Sequence, residues 1–134
     1  MNSTMSGQAQ EKTILLVDDE PEIVALCTQA LYMAGGGYSV MTATSPVDAL
    51  RIAEQHQNRI DLLVTDVMMP EMNGFDLADR LKYAIPNLKI LFMSGYVAAA
   101  DQERGRSINF LGKPFSLQAL CATVRSILEG NAGF

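Results

Sequence analysis

The chain reads as a doubly wound α/β domain, and three features predict it. Short continuous apolar runs alternate with stretches of helical period, turn or capping residues mark the boundaries, and polar, chemistry-bearing residues follow the runs. With 134 residues, 49% hydrophobic and 19% charged, the chain is one ordinary globular domain with room for a core.

In order, residues 1–12 (MNSTMSGQAQEK) are polar, lack the apolar core of a secretory signal and read as a flexible arm. The domain is expected over 13–130, with 131–134 a short tail. TILLV (13–17) suits a strand covered on both faces in a parallel sheet. Pro21 fits the first turn of a helix whose apolar positions Ile23, Leu26, Cys27, Ala30, Leu31 and Ala34 step by three and four, and GGG (35–37) stops it. YSVMTA (38–43) is the second strand, and Ser45-Pro46 opens the second helix. DLLVT (61–65) is the third strand, and Asn73-Gly74 opens the third helix. LKILFM (88–93) and INFL (108–111) are the fourth and fifth strands, with a helix expected between them in VAAADQERGRS. Ser116 caps the last helix, whose stripe is Leu117, Leu120, Cys121, Val124 and Leu128 and whose stop is Gly130. Five alternations, with no repeat, place helices on both faces of one parallel sheet through right-handed crossovers.

Such a sheet gathers the carboxyl ends of its strands on one edge, where ligands bind. Strand one is followed there by Asp18-Asp19-Glu20, strand three by Asp66, strand four by Ser94-Gly95 and strand five by Gly112-Lys113-Pro114. Singly, each has a bland explanation: Asp18 and Asp19 as helix caps, Ser94-Gly95 as a turn, Lys113 as a solvated loop charge. Jointly they do not. Three acids within a few ångströms repel, so one stays protonated unless a cation joins them. With no Cys or His at hand the donor set is all oxygen, which favours Mg²⁺ over zinc. Three carboxylates, one lysine and a divalent cation sum to about zero, which leaves room for an anion, and phosphate is the natural one. A carboxylate can be the nucleophile in phosphoryl transfer. Asp66 is the choice, because it ends a central strand and VMMPEMNG after it forms a stiff apolar loop.

Ten basic against fifteen acidic residues give a net charge of -5, against a nucleic-acid surface in this domain and in favour of proteins or a cation as partners. No apolar run reaches the roughly 18 residues of a membrane span. Cys27 and Cys121 lie on apolar stripes without metal spacing, as buried free thiols would in a reducing compartment such as the cytoplasm. The lone His56, beside a polar helix end, reads as surface filler.

LLVDDE, DLLVTDVMMPEMNGFDL, ILFMSGY and FLGKPFS, in that order across residues 13–129, resemble the receiver domain of two-component response regulators. Each segment is weak alone, but four in register at strand ends are specific. The resemblance implies a five-stranded flavodoxin-like sheet of order 2-1-3-4-5. It implies Asp66 as phosphoacceptor, served by a histidine kinase or a histidine phosphotransfer protein. Mg²⁺ (or Mn²⁺) would be held by Asp19 directly, Asp18 mainly through water, Asp66 and the backbone carbonyl of Met68. Lys113 would pair with the phosphoryl oxygens, Ser94 would hydrogen-bond them, and Lys113-Pro114 is a candidate cis bond. Ser94 and Phe110 would form the switch pair that signals to an output partner as yet unspecified. Read from its residues alone, Phe110 is a plain core residue of strand five.

Two departures from the family pattern stand out. Ser94 and Lys113 are 19 positions apart (94 to 113), about one helical turn short. The shortening falls in the fourth helix (97–107), on a face the family uses for output and dimerisation, so homodimerisation stays open. GGG before strand two slightly expands a loop far from the phosphate edge, with little functional effect expected. Two other readings compete with the phosphorylatable switch, which catalyses only its own phosphorylation and dephosphorylation. A haloacid-dehalogenase-like phosphatase would need an acid two positions after Asp66, where Met68 stands. A phosphorylation-independent interaction module would retain all five polar residues by accident.

Overall fold

A computed structural model describes residues 11–56, 59–95 and 108–130 of the chain. The expected arm up to residue 10, the expected fourth helix (97–107) and the tail (131–134) lie outside the described residues. The described elements are β1 (Thr13–Val17), α1 (Pro21–Met33), β2 (Ser39–Ala43), α2 (Pro46–His56), β3 (Leu62–Asp66), α3 (Gly74–Ala84), β4 (Lys89–Ser94), β5 (Asn109–Gly112) and α4 (Leu117–Leu128). The strands form one parallel sheet in the order β2-β1-β3-β4-β5. That is the doubly wound, flavodoxin-like order expected from the resemblance.

Alternation along each strand divides the core in two. Leu15, Val17, Leu63 and Phe92 pack with Ala49 and Ala53 of α2 and Leu77, Ala78 and Leu81 of α3. Ile14, Leu16, Leu62, Val64, Leu91 and Met93 pack on the other face with Val24, Cys27 and Leu31 of α1 and Leu120, Val124 and Ile127 of α4. Every residue of β3 is buried, so it is the central strand covered on both sides. Truncating one such leucine to alanine costs about 2–5 kcal/mol.

β1 and β2 end where the apolar pattern suggests, whereas β3, β4 and β5 end one residue later. Asp66 pairs with Met93 and Ser94 with Gly112, because the backbone ladder continues whatever the side chain is. The first helix is also rotated from its expected stripe: Val24, Cys27 and Leu31 face the sheet while Leu26 is 51% exposed. A period of 3.6 permits two overlapping stripes, and the entry of the chain from β1 selects between them. On α4, Ile127 is buried and Leu117 faces solvent. Cys27 is buried as expected, but Cys121 is only half-buried at the α1–α4 seam, where its Sγ donates to the Ala30 carbonyl at 3.5 Å. Both thiols are free.

Local chemistry sets the helix ends. Ser45 Oγ accepts from the Asp48 amide, Asn73 Oδ1 from Asp76 and Ser116 Oγ from Ala119. After α1 and α4, Gly35 (φ 82°) and Gly130 (φ 78°) take the left-handed conformation that stops a helix. No described helix is long and apolar enough to cross a membrane.

Candidate functional site

Three strand ends and one loop place the polar side chains. β1 runs apolar to Val17 and delivers Asp18, which is fully buried. A carboxylate there is tolerable only when partnered. Both oxygens are: Oδ1 accepts from the Glu20 amide at 2.9 Å, and Oδ2 from Lys113 Nζ at 3.0 Å. The first of these bonds lies at the entry to α1, whose N-cap residue Glu20 makes no side-chain cap bond. Asp19, next along, is more exposed than Asp18.

Asp66 ends β3 at 6% exposure, and its Oδ1 lies 3.5 Å from Lys113 Nζ. Oxygens of Asp18, Asp19 and Asp66 fall within 4.8 Å of one another. Burial raises the Asp66 carboxyl above the usual range, the Asp18 charge raises it further, and Lys113 opposes both. Burial alone would lower the Lys113 ammonium, but its hydrogen bond and charge pairing with Asp18, then Asp66, leave it raised above the ordinary lysine value. One lysine thus binds two of three crowded acids and leaves a surplus of negative charge. That surplus, with only hard oxygen donors, fits a divalent cation such as Mg²⁺.

Ser94 closes β4 at 2% exposure, and its carbonyl accepts the Lys113 amide at 2.9 Å, tying the lysine's backbone to the same edge. The Lys113–Pro114 bond is cis. Phe110, half-buried on β5, pairs in register with Phe92 and packs against the α2–α3 core. Met68 follows the strand end with its side chain 64% exposed, so the apolar run does not continue into the core there. Asp18, Asp19, Asp66 and Lys113 are therefore brought together, Ser94 lies on their edge, and Phe110 lies one strand outward.

Sequence reasoning missed what shapes the loop beneath Asp66. A Cβ on Gly74 would stand 2.3 Å from the Asp66 carbonyl oxygen, so α3 starts hard against the end of β3. The Gly74 amide donates to the Val67 carbonyl at 2.8 Å, and the Val67 amide to Met93 at 3.1 Å. Thr65 Oγ1 bonds the Asp66 carbonyl at 2.9 Å. Glu71 adopts φ 77°, a left-handed conformation unusual for a side-chain-bearing residue. Asn-Gly is visible as a helix start, but the close approach becomes visible only once β3 and α3 are placed.

The sequence profile of the response regulator receiver domain matches residues 14–125. The chain is 40% identical over 128 residues to the sensor kinase CckA of Brucella abortus (strain 2308), across 93% of this chain and 13% of that protein. Among solved structures, the receiver domain of the hybrid histidine kinase CckA superposes with a TM-score of 0.73 at 31% identity, covering 87% of this chain and 98% of that one. A response regulator receiver domain protein from Clostridium thermocellum gives a TM-score of 0.78 at 26% identity, covering 89% of this chain and 95% of that one.

Proposed function

Because this chain belongs to the response regulator receiver domain family, we propose that it is a phosphorylatable switch in which Asp66 accepts a phosphoryl group. The observation that carries this reading is the cluster of Asp18, Asp19 and Asp66 oxygens within 4.8 Å, bridged by Lys113. The donor is a histidine kinase or a histidine phosphotransfer protein. The chain spans 13% of the length of the sensor kinase CckA of Brucella abortus to which it is similar.

An Asp66 carboxylate oxygen forms a bond to phosphorus as the phosphorus–nitrogen bond of a phosphohistidine breaks, and the imidazole leaves with the electron pair. Lys113 meets the charge gathered on the transferred oxygens, and its present bonds to Asp18 and Asp66 hold the ammonium within reach of them. Ser94 donates its hydroxyl to a phosphoryl oxygen. Asp18, Asp19, Asp66 and the Met68 carbonyl would hold Mg²⁺ (or Mn²⁺), which supplies the positive charge that lets two anions approach. Water later hydrolyses the acyl phosphate, so the only chemistry is the domain's own phosphorylation and dephosphorylation.

Phosphorylation then biases a two-state equilibrium toward the form in which Ser94 bonds the phosphoryl group, with Phe110 following inward. The output is a protein surface, not nucleic acid or membrane, and the setting is cytoplasmic. The test is intact mass after acetyl phosphate and Mg²⁺. Wild type gains one phosphoryl mass, while Asp66→Asn or added chelator abolishes it. Equal gain by Asp66→Asn rejects the assignment, and sustained turnover of a phosphomonoester favours the phosphatase reading, in which the residue two beyond Asp66 must serve without an acid.

A further inference from the structure

The opposite end of the sheet holds a second polar constellation, with charge of the other sign. A cavity of about 600 Å³ opens between the start of β1, the α1–β2 loop and the end of α4, lined by Lys12, Gly36, Tyr38, Arg125, Leu128 and Glu129. Tyr38 is only 9% exposed and its ring belongs to the α1–α4 core, yet its hydroxyl has no hydrogen-bond partner among the described residues. Among the described residues the buried side-chain oxygen without a partner is that of Thr28, so the Tyr38 hydroxyl opens to solvent at the cavity. Arg125 Nη2 reaches the Ala34 carbonyl at 3.5 Å, a long bond that leaves most of its five donors over. Lys12 is anchored through its carbonyl, which accepts the Ser39 amide at 2.8 Å, and its ammonium has no ion pair among the described residues.

The glycine run explains how the hydroxyl comes to lie there. A Cβ on Gly36 would stand 2.6 Å from Tyr38 Cζ and 2.9 Å from its oxygen. A glycine lets the loop close over the tyrosine tip without displacing it. We propose that this cavity binds an organic phosphate of mononucleotide size, its phosphate held by Lys12, Arg125 and the Tyr38 hydroxyl and its ring set against Leu128. Two cations and a hydroxyl offer more donors than a carboxylate can accept, and the guanidinium fork matches phosphate. A cavity of this size suits a small organic ligand, not a bare ion. Glu129 on the rim disfavours ligands whose charge extends toward it. The proposal is independent of the reading of the Asp66 cleft.

The test titrates the full chain, in magnesium-free buffer with chelator, with AMP, GMP and inorganic phosphate, followed by amide chemical shifts. Either nucleotide is expected to shift Gly35, Gly36, Gly37, Tyr38 and Arg125, and more tightly than inorganic phosphate does. Arg125→Met and Lys12→Met each weaken binding roughly tenfold, the loss of one charged hydrogen bond. Tyr38→Phe keeps the ring and weakens binding severalfold, and melting curves confirm that the variants fold. The proposal is overturned if nothing shifts up to roughly ten millimolar, if shifts are confined to the Asp18–Asp66–Lys113 cleft, if Arg125→Met binds as wild type does, or if inorganic phosphate binds as tightly as AMP.

Discussion

The two ends of the sheet make a natural contrast. At the carboxyl edge, strand ends present three acids and one lysine, and the surrounding backbone is rigid: Gly74 abuts the Asp66 carbonyl, and Lys113 is tied to Ser94. At the amino edge, two cations and a tyrosine hydroxyl are gathered by a glycine loop and a helix end. Strands fix positions to within the ladder, whereas loops leave room for side chains to give way. The difference is one of how each end tolerates change, and it can be broken by substitution.

The largest effect is expected from a pair of glycine substitutions. Gly74→Ala forces a Cβ into backbone that cannot retreat, and should cost roughly 3 kcal/mol or more. Gly36→Ala meets only the end of the Tyr38 ring, which can turn aside, and should cost about 1 kcal/mol or less. Urea denaturation compares them directly. Equal costs would erase the contrast.

Next comes the charge at the acid edge, measured without divalent cation. The Asp66 carboxyl is raised in the folded state, so its contribution to stability is fully present below its unfolded value and is lost as pH rises through the folded one. Wild type should therefore lose stability as the cluster ionises, and Asp66→Asn should remove that loss and be the more stable of the two near neutral pH. Thermal melts from acid to neutral pH are the check. A variant less stable than wild type at neutral pH would show that Lys113 already compensates all three acids.

Much of this architecture is legible in the sequence, for physical reasons. Parallel strands buried on both faces need unbroken apolar runs, so TILLV and LLVT announce themselves, and the acids that follow them stand out. Asn73 and Ser116 are legible because capping is local. The face of α1 was not legible, since Leu26 and Val24 lie on overlapping stripes and only tertiary entry decides between them. Nor was Gly74's close approach, which depends on two elements meeting. GGG reads as a passive loop expansion until Tyr38 and Arg125 are placed around it.

A smaller effect tests how far the acid edge reaches into the core. Burial, and then the Asp18 charge, push the Cys27 thiol from an ordinary 9.0 up to about 11. Its contribution is fully present below pH 9 and is lost as pH climbs toward 11, so stability should fall across that window and fall less in Cys27→Ala. Alkylation at neutral pH should likewise label the half-buried Cys121 before Cys27. The smallest change is expected at Glu71, where glycine relieves the left-handed backbone. Glu71→Gly should change stability by no more than about 1 kcal/mol, in the stabilising direction, by thermal melt.

The central claim concerns one atom's reactivity, and borohydride trapping addresses it most directly. The protein is phosphorylated with acetyl phosphate and Mg²⁺, reduced with borohydride and mapped by peptide mass spectrometry. An acyl phosphate on Asp66 is converted to homoserine at that position alone. Homoserine at Asp18 or Asp19 instead, or a phosphoryl group retained on His56 with Asp66 unchanged, contradicts the account.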